Sequence, residues 1–330
     1  MSMPPKSLIT DIHTCIATYN LIPQGSTVII GLSGGPDSVL LTHILAQMRS
    51  THDLKLIAAH LNHGWRPEAD EDARFCRALA QELGIEYVQA HLNHFNDALQ
   101  SNGSAEALGR RARRLFFEQC AREHGADRIA LAHHADDQQE TFFIRMIRGT
   151  TLSGLVGMRP QHGQYVRPLL HVYKKDILAY LHEHGIAYRL DATNTDTRYL
   201  RNSIRHTVLP ALKVCDVRFD ENFARMVTSL QETERFLDTL THQALQQAMV
   251  IDAQYGAGIC FKTVMAYDPV LRDRVVMQWL HNHHVPYAPQ ERFISEIVRF
   301  LSHERGGTHR LHAQWHILKK HAHAYIQLIS

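Results

Sequence analysis

Short apolar runs alternate with longer helical segments over roughly the first 210 residues, and this alternation constrains the fold more than any other feature of the sequence. Strands that are separated by helices of this length predict an α/β fold with a parallel, doubly wound sheet. The predicted strands are residues 27–33, 54–63, 85–93 and 127–134.

Polar clusters stand at the ends of three of these predicted strands. SGGPDS ends the first, HLNHGWR ends the second, and AHHADDQ ends the fourth. Ligands bind to parallel sheets of this kind at the carboxyl ends of the strands. The three clusters therefore predict one ligand site at a single edge of the sheet.

The sequence changes character after about residue 213. Residues 222–250 predict one long helix, LRDRVVMQWLHNHH and ERFISEIVRFLSH predict two more, and short alternating strands close the chain around Gly306 and Gly307. We therefore predict two domains, an α/β domain at residues 1–212 and a smaller, mainly helical domain at residues 213–330.

Composition argues against several classes of protein. No apolar run is long enough to span a membrane, and the N-terminus lacks the apolar core of a signal peptide. The five cysteines are widely spaced and form no CxxC pair, which argues against a disulfide scaffold or a metal cluster. We expect a cytoplasmic protein that does not associate with membranes.

The net charge of +2 does not by itself indicate a polyanionic partner, but residues 109–128 contain six arginines. One interpretation is a solvated helix face, which is the commoner origin of a charge run. The other is a surface that contacts phosphate groups or the backbone of RNA.

The segment SGGPDS, residues 33–38, joins the first predicted strand to a helix. Gly34 and Gly35 let the backbone approach a ligand closely, and the amide and hydroxyl groups of the loop predict an anion pocket. The lysine of a Walker A loop is missing, and Asp37 would repel a bare phosphate. Asp37 therefore indicates a magnesium ion between carboxylate and phosphate, or a helix cap.

The segment AHHADDQQET, residues 132–141, opens a helix at the end of the fourth predicted strand. His133, Asp137 and Glu140 lie at positions i, i+4 and i+7, which share one helix face. Such a set can bind a metal ion, a cationic substrate or one another. Acids that match the helix dipole explain one carboxylate more easily than three.

The segment RYLRNSIRHTVLP, residues 198–210, places Arg201 and Arg205 one turn apart on a helix that ends before Pro210. The pair is either surface charge or a phosphate-binding pair, for which the fixed fork of arginine is suited. Local sequence does not decide between the two.

Taken in order, these segments resemble the tRNA(Ile)-lysidine synthetases of the PP-loop ATP pyrophosphatase superfamily. GLSGGPDSVLL is similar to the SGGxDS loop of the superfamily, and GRRARRLFF to its ARxxRYxxF segment. The most distinctive matches are LAHHADDQQETFFIRMIRGT, SGLVGM, RPLL and DATNTDTRYLRNSIRHTVLP. The resemblance is strong over residues 25–212 and looser to residue 330. It implies a Rossmann-like adenine nucleotide α-hydrolase fold followed by a helical tRNA-binding domain.

The resemblance implies a two-step ligation that uses ATP and Mg²⁺. ATP first activates the C2 carbonyl of cytidine 34 in the CAU anticodon of tRNA(Ile) as an O-adenylate, and pyrophosphate leaves. An amine of free L-lysine then attacks C2, and AMP leaves. The product, lysidine, changes decoding from AUG to AUA and the acceptor identity from methionine to isoleucine.

The resemblance also implies roles for individual residues. The expected catalytic residues are Asp37, Arg113, His133 and Arg205, with Asp37 as magnesium ligand and the others beside the α-phosphate. Asp137 and Glu140 are expected to bind lysine, and a nearby carboxylate or His133 to accept the proton of its amine. The residues expected to bind ATP and pyrophosphate are Ser33, Gly34, Gly35, Pro36, Asp37, Ser38, Ala59 and Leu61.

Other functions compete with this interpretation. Related tRNA thiolases that act on cytidine use paired cysteines, and NAD or GMP synthetases need an ammonia source for which no signature is visible. A nonenzymatic nucleotide-binding module would keep the glycines but would not need the acids of HHADDQQE. Some relatives carry a further C-terminal domain that grips the acceptor stem. Because this sequence ends sooner, we expect tRNA discrimination to depend on a smaller surface or on a homodimer.

Overall fold

A computed structural model of the chain describes residues 8–64, 69–98, 105–190, 200–286, 291–303 and 305–328. The chain divides into two compact units, residues 1–227 and 228–330. The sequence-based division between residues 212 and 213 stays a prediction. Trp65 and the DATNTDTRY part of the arginine motif, residues 191–199, lie outside the described residues.

Six strands form the sheet of the first unit: β1 (Thr27–Gly31), β2 (Lys55–Asn62), β3 (Glu86–His91), β4 (Arg128–Ala130), β5 (Gln161–His162) and β6 (Tyr165–Val166). Their order is β3-β2-β1-β4-β6-β5. Neighbours are parallel from β3 across to β6, and β5 pairs antiparallel with β6 in an edge hairpin. The predicted parallel, doubly wound α/β sheet is confirmed.

Helices connect these strands and extend beyond them. They are α1 (Leu8–Thr18), α2 (Pro36–Met48), α3 (Ala69–Glu82), α4 (Ala105–His124), α5 (Ala135–Arg148), α6 (Leu152–Leu155), α7 (Lys174–Glu183), α8 (Leu200–Ser203) and α9 (Leu209–Cys215). A 3₁₀ helix spans Leu92–Ala98, and a π-helical turn spans Ile204–Val208. Among the helices that the structure describes, none combines the length and the apolar character that a bilayer crossing requires.

The strands of this sheet contribute alternate residues to two cores, one on each face. Val28 and Ile30 of β1 pack in a core with α2, whereas Ile29 between them packs in a core with α4. All three side chains are fully buried. A parallel sheet covered on both faces requires this period of two, which places α2 on one face and α4 on the other.

The second unit combines helices with an antiparallel sheet. Its helices are most of α10 (Phe219–Ala248), together with α11 (Phe261–Met265), α12 (Pro269–Asn282) and α13 (Glu291–Ser302). Its strands are β7 (Met249–Asp252), β8 (Gly256–Cys260), β9 (Gly307–His312), β10 (Trp315–Lys320) and β11 (His323–Leu328), in the order β7-β8-β11-β10-β9. The smaller, mainly helical part is confirmed. The sequence did not predict β7 or β8, and β7 was missed because the apolar pattern of α10 runs into it without a helix-breaking residue.

Candidate active site

The strand order places the topological switch point of the sheet between β1 and β4, at their carboxyl ends. The chain runs from β1 through β2 to β3 on one side and then adds β4 on the other side of β1. Ligands of open α/β sheets bind at such a switch point, where the loops after the two strands diverge. Asp37 lies in the first turn of α2, directly after the loop that follows β1, and His134 ends the loop that follows β4. Asp37 Oδ2 lies 3.8 Å from His134 Nε2, so the structure brings the two polar clusters together.

The loop between β1 and α2 has a well-defined backbone conformation. Gly34 has a φ of +83°, in the left-handed region that favours glycine. The amide of Ser33 donates a hydrogen bond to Ser38 Oγ at 3.1 Å, and Ser38 Oγ donates to the carbonyl oxygen of Gly35 at 2.9 Å. Helix α2 begins at Pro36, at a position where an amide would have had no intrahelical partner. The loop thus leads into a helix N-terminus, which is a ready site for an anion.

Arg189 ties this loop to α3, although the sequence analysis assigned Arg189 no role. Its backbone amide donates to the carbonyl oxygen of Gly34 at 2.9 Å. Its Nε lies 3.0 Å from Asp72 Oδ1, and its Nη2 lies 2.8 Å from Glu71 Oε2. No local signal marks this residue, because its side-chain partners are 117 and 118 positions away in the sequence.

His134 lies at the N-terminus of α5 among three carboxylates. Its ring nitrogens are 3.4 Å from Asp136 Oδ2, 3.5 Å from Asp137 Oδ2 and 3.8 Å from Asp37 Oδ2. Burial favours the neutral ring, but the carboxylates outweigh burial and raise the pKa of His134 above its ordinary value. Asp137 Oδ2 also accepts the backbone amide of His134 at 3.1 Å, which orients the start of the helix.

The pKa of the preceding residue, His133, is shifted in the opposite direction. Burial, assisted by the positive charges of Arg167 and Arg201, lowers the pKa of His133 to about 4 against the attraction of Asp137. Its Nδ1 is buried and has no hydrogen-bond partner among the described residues. At neutral pH, His133 is therefore an uncharged ring. Adjacent titratable groups with diverging pKa values are typical of acid–base sites.

The N-terminus of α5 carries two ionised aspartates at neutral pH. Burial alone would raise the pKa of Asp137, but His134, His133 and the amide that it accepts hold the pKa below its ordinary value. Burial is likewise outweighed at Asp136, whose pKa is lowered by His134 and by the backbone amide of Lys174 at 2.8 Å. Two negative charges in a partly buried crevice are chemically suited to a cationic ligand.

Glu140, one turn after Asp137, is fully buried and is bound to two arginines. Arg205 Nε lies 2.6 Å from its Oε1, and Arg205 Nη2 and Arg201 Nε lie 3.2 Å and 2.9 Å from its Oε2. A buried carboxylate requires such compensation, because an unpaired charge in the interior is strongly unfavourable. Arg205 belongs to the π-helical turn, a feature that often marks functional sites. Both oxygens of Glu140 are thus in use in this conformation.

Lys174, the first residue of α7, contacts Asp37 directly and is a site residue that the sequence did not predict. Its Nζ lies 2.6 Å and 2.7 Å from the two carboxylate oxygens of Asp37. The signal that could have revealed it is a lysine that opens an amphipathic segment shortly after RPLL. The Asp37 carboxylate is therefore placed and charged to hold a cation at the N-terminus of α2.

The remaining predicted site residues lie on or beside β2. Arg113 of α4 places its Nη2 3.0 Å from Nε2 of His63, the residue that follows β2. Ala59 and Leu61 are buried on β2, and the carbonyl oxygen of Ala59 accepts the amide of Leu32 at 3.0 Å. The structure thus gathers two groups of predicted residues. The group at α5 comprises Asp37, His133, Asp137, Glu140 and Arg205, and the group at β2 comprises Ala59, Leu61 and Arg113.

Gln138 of α5 clamps the segment SGLVGM, residues 153–158. Its side-chain amide donates to the carbonyl oxygens of Val156 and Met158 at 3.3 Å and 3.0 Å and accepts the amide of Met158 at 2.7 Å. Gly157 has a φ of +70°, and a Cβ at this position would lie 2.6 Å from Gln138 Oε1. The segment therefore requires glycine at residue 157 both for backbone conformation and for space.

Replacement of Gly157 by alanine is expected to lower the free energy of unfolding by about 2–4 kcal/mol, because backbone strain and a steric clash add. Urea denaturation followed by circular dichroism measures this loss. Gly163 is the matched control, since it has a φ of +58° and open space where a Cβ would be built. Gly163→Ala should cost about 1–2 kcal/mol. Equal losses in the two variants would contradict the clamp.

Comparison with protein families gives one match over most of the first unit. Residues 8–212 match the family model described as the PP-loop domain. Among solved structures, the U34-tRNA thiolase NcsA from Methanococcus maripaludis, described with its [4Fe-4S] cluster, aligns with a TM-score of 0.57 and 19% identity over 67% of this chain and 78% of that chain. At this identity the likeness shows the fold alone.

Curated relatives cover more of the chain. The tRNA(Ile)-lysidine synthase of Bacillus subtilis (strain 168) is 35% identical over 296 residues, which are 88% of this chain and 62% of that protein. The synthase of the same name from Geobacter sulfurreducens is 38% identical over 269 residues, or 81% of this chain and 57% of that protein. The chain thus spans about three fifths of the length of these relatives. The resemblance inferred from the sequence motifs is confirmed.

Proposed function

This chain belongs to the PP-loop domain family, and on that premise we propose that it uses ATP to ligate L-lysine to C2 of cytidine 34 in the CAU anticodon of tRNA(Ile). One observation carries the proposal: Asp37 of the phosphate loop and Asp137 of the acid cluster both contact His134 at the switch point of the sheet. An anion site and a cation site thus adjoin. The names of the curated relatives support the same reaction.

We assign ATP to the loop after β1. The amide groups of residues 33–38 and the N-terminus of α2 bind the β- and γ-phosphates, and adenine lies near Ala59 and Leu61. Cytidine O2 attacks the α-phosphorus, the bond from that phosphorus to the bridging oxygen of the β-phosphate breaks, and pyrophosphate leaves from the loop. The nucleotide product of the second step is therefore AMP.

Asp37 is the proposed ligand of the Mg²⁺ that accompanies ATP. Its two oxygens already hold an ammonium group, so the carboxylate fits a cation. Mg²⁺ is commonly bound by one or two carboxylates, with phosphates and water completing its coordination, so a single aspartate is sufficient. The bound ion would offset the charge of the leaving pyrophosphate.

Arg113, Arg205 and His133 are the proposed contacts of the α-phosphate. Guanidinium groups suit the charge that develops on the phosphoryl oxygens during attack. In this conformation, Arg205 Nε lies 2.6 Å from Glu140 Oε1. The guanidinium group must leave this carboxylate to reach the phosphate. His133 is uncharged at neutral pH, so its ring can donate a hydrogen bond or accept a proton without first losing one.

Asp137 and Glu140 are the proposed lysine-binding residues, and their present partners imply an order of binding. Asp137 is ionised and partly exposed, whereas both oxygens of Glu140 are occupied by Arg201 and Arg205. The ammonium group of lysine can bind Glu140 only after a guanidinium group leaves. The triphosphate is the anion that attracts Arg205, so we propose that ATP binds before lysine.

A proton must leave the attacking amine of lysine, and His133 is the proposed acceptor. Its pKa of about 4 keeps the ring neutral near pH 7, whereas the raised pKa of His134 favours the protonated ring. Among the residues that the structure describes, Nδ1 of His133 has no hydrogen-bond partner, so the ring can take up a proton there. A carboxylate of the cluster is the alternative acceptor.

Two broader features belong to this proposal. We place the protein in the cytoplasm, where ATP, free lysine and tRNA are available. We also propose that the second unit binds tRNA and that a homodimer is one way to enlarge the tRNA-binding surface. Size-exclusion chromatography with light scattering, with and without tRNA, tests the homodimer.

The direct test incubates the chain with an unmodified tRNA(Ile) transcript that has a CAU anticodon, together with ATP, Mg²⁺ and labelled lysine. We expect label to enter the tRNA with formation of one AMP for each lysine incorporated. A transcript with uridine at position 34 is the matched control and should stay unlabelled. An unlabelled CAU transcript, under conditions in which a full-length relative labels it, would contradict the proposed function.

A further inference from the structure

The phosphate loop contains no lysine of its own, but the fold supplies one from another element. Lys174 lies 137 positions after Asp37 in the sequence, and its ammonium group is held by both oxygens of that carboxylate at the N-terminus of α2. This is the end of the helix at which a phosphate is expected to bind. The tertiary structure thus brings to the loop a lysine that the loop sequence itself does not contain.

The backbone of Lys174 is fixed by its contacts, whereas its side chain is long and partly exposed. The backbone amide of Lys174 donates to Asp136 Oδ2 at 2.8 Å, and Ile177 and Leu181 of α7 pack in the same core as α2. Beyond the fixed backbone, four methylene groups carry an ammonium group in a side chain that is 33% exposed. The ammonium group can therefore reach more than one partner near α2.

The contact with Asp37 is better explained by ligand binding than by stability. The two side chains are 33% and 25% exposed, so solvent screening reduces what this ion pair contributes to the stability of the fold. A triphosphate would bring several anionic oxygens to the loop beside Asp37. Lysine binds phosphate as a compact point charge, so the ammonium group of Lys174 is suited to those oxygens.

We propose that Lys174 is the phosphate-binding lysine of this site. Without nucleotide, Lys174 neutralises Asp37. When ATP binds, its ammonium group moves to the terminal phosphates, and Asp37 becomes available to the accompanying magnesium ion. Lys174 thereby performs the task that a loop lysine performs in a Walker A motif. The inference deepens the proposed function, from which it takes ATP as the ligand.

The test compares Lys174→Met with the unaltered chain in equilibrium binding of α,β-methylene-ATP, which resists cleavage, and of AMP. We expect the affinity for the triphosphate to fall about 10- to 100-fold, which corresponds to the loss of one charged hydrogen bond. The affinity for AMP should stay unchanged, because AMP lacks the phosphates that Lys174 binds. If Lys174 only maintained the structure of the loop, its replacement would weaken the binding of both ligands.

Lys175→Met is the matched control. Lys175 is the next residue on α7, and its ammonium group lies over the ring of Tyr173, 5.7 Å from the ring centre. Its removal subtracts the same charge from the same helix and should leave both affinities unchanged. Lys174→Arg, which keeps the charge, should restore part of the triphosphate affinity and supplies a folded variant if the methionine variant does not fold.

Three results would overturn the assignment of Lys174: unchanged triphosphate binding in Lys174→Met, an equal loss for AMP, or no triphosphate binding by the unaltered chain. The proposed ligation is read separately, from label in tRNA. If triphosphate binding depends on Lys174 but no label enters the tRNA, the proposed ligation is wrong and the assignment of Lys174 stands. If label enters the tRNA but Lys174→Met binds the triphosphate as well as the unaltered chain does, the ligation stands and the assignment of Lys174 is wrong.

Discussion

In an Asp37→Ala variant, the rate of ATP cleavage to AMP and pyrophosphate is expected to fall by a factor of about a thousand or more, while the variant remains folded. The proposed magnesium position depends on this one carboxylate, and removal of a charge that stabilises a phosphoryl transition state commonly has an effect of this size. Pyrophosphate release in the presence of tRNA and lysine measures the loss. The free energy of unfolding, measured by thermal denaturation, should change by about 1 kcal/mol or less, because the side chain of Lys174 can turn to solvent.

The matched control for this prediction is Asp176→Ala. Asp176 is also an aspartate in the first turn of a helix, α7, and it is exposed. Its replacement removes the same favourable interaction with a helix dipole but leaves the phosphate loop intact. Asp176→Ala should therefore keep full activity. An Asp37→Ala variant that retains more than about a tenth of the rate would remove Asp37 from the magnesium site.

A Glu140→Gln variant is expected to require at least about tenfold more lysine for half-maximal ligation, with pyrophosphate formation retained. The amide keeps the shape of the side chain but not the negative charge that attracts the ammonium group of lysine. The variant should also lose about 1–3 kcal/mol of stability, since Arg201 and Arg205 lose their shared partner. Their partial exposure, 27% and 34%, keeps this loss moderate.

Glu234→Gln separates the two effects of the Glu140 substitution. Glu234 is a buried carboxylate of the second unit that binds Arg274 through both oxygens, at 2.8 Å and 3.0 Å. The same replacement there should lower stability by a similar amount without any change in the lysine requirement. Normal lysine dependence in Glu140→Gln, at a temperature where it is folded, would exclude Glu140 from the lysine site.

Much of the framework was predictable because it depends on patterns between near neighbours in the sequence. The alternation of β-branched runs with helices predicted the parallel sheet, and the glycines of SGGPDS predicted the turn into α2. The i+4, i+7 spacing correctly placed Asp137 and Glu140 on one helix, α5, but His133 was wrongly included, because the helix begins at Ala135 and His133 precedes its N-cap residue. Periods of two and of 3.6 residues express strand and helix geometry directly, so no knowledge of distant partners was needed.

The partners of these residues were not predictable, because they come from distant parts of the chain. The family resemblance predicted Glu140 as a lysine-binding acid, whereas the structure buries it against two guanidinium groups, one from a residue 65 positions away. Arg189 and Lys174 were missed for the same reason. Both residues follow β6 in the sequence but contact the segment that follows β1, and no local spacing in the sequence indicates these contacts.

The sequence by itself thus determined the chemical groups of this protein and the elements that carry them: a glycine-rich loop without a lysine, followed by an acid-rich helix after the fourth strand. The tertiary structure decided what those groups do to one another. The strand order places β1 beside β4, which brings Asp37 to His134 and Lys174 to Asp37. Charge states depend on burial and on neighbouring charges, and the folded sheet creates both.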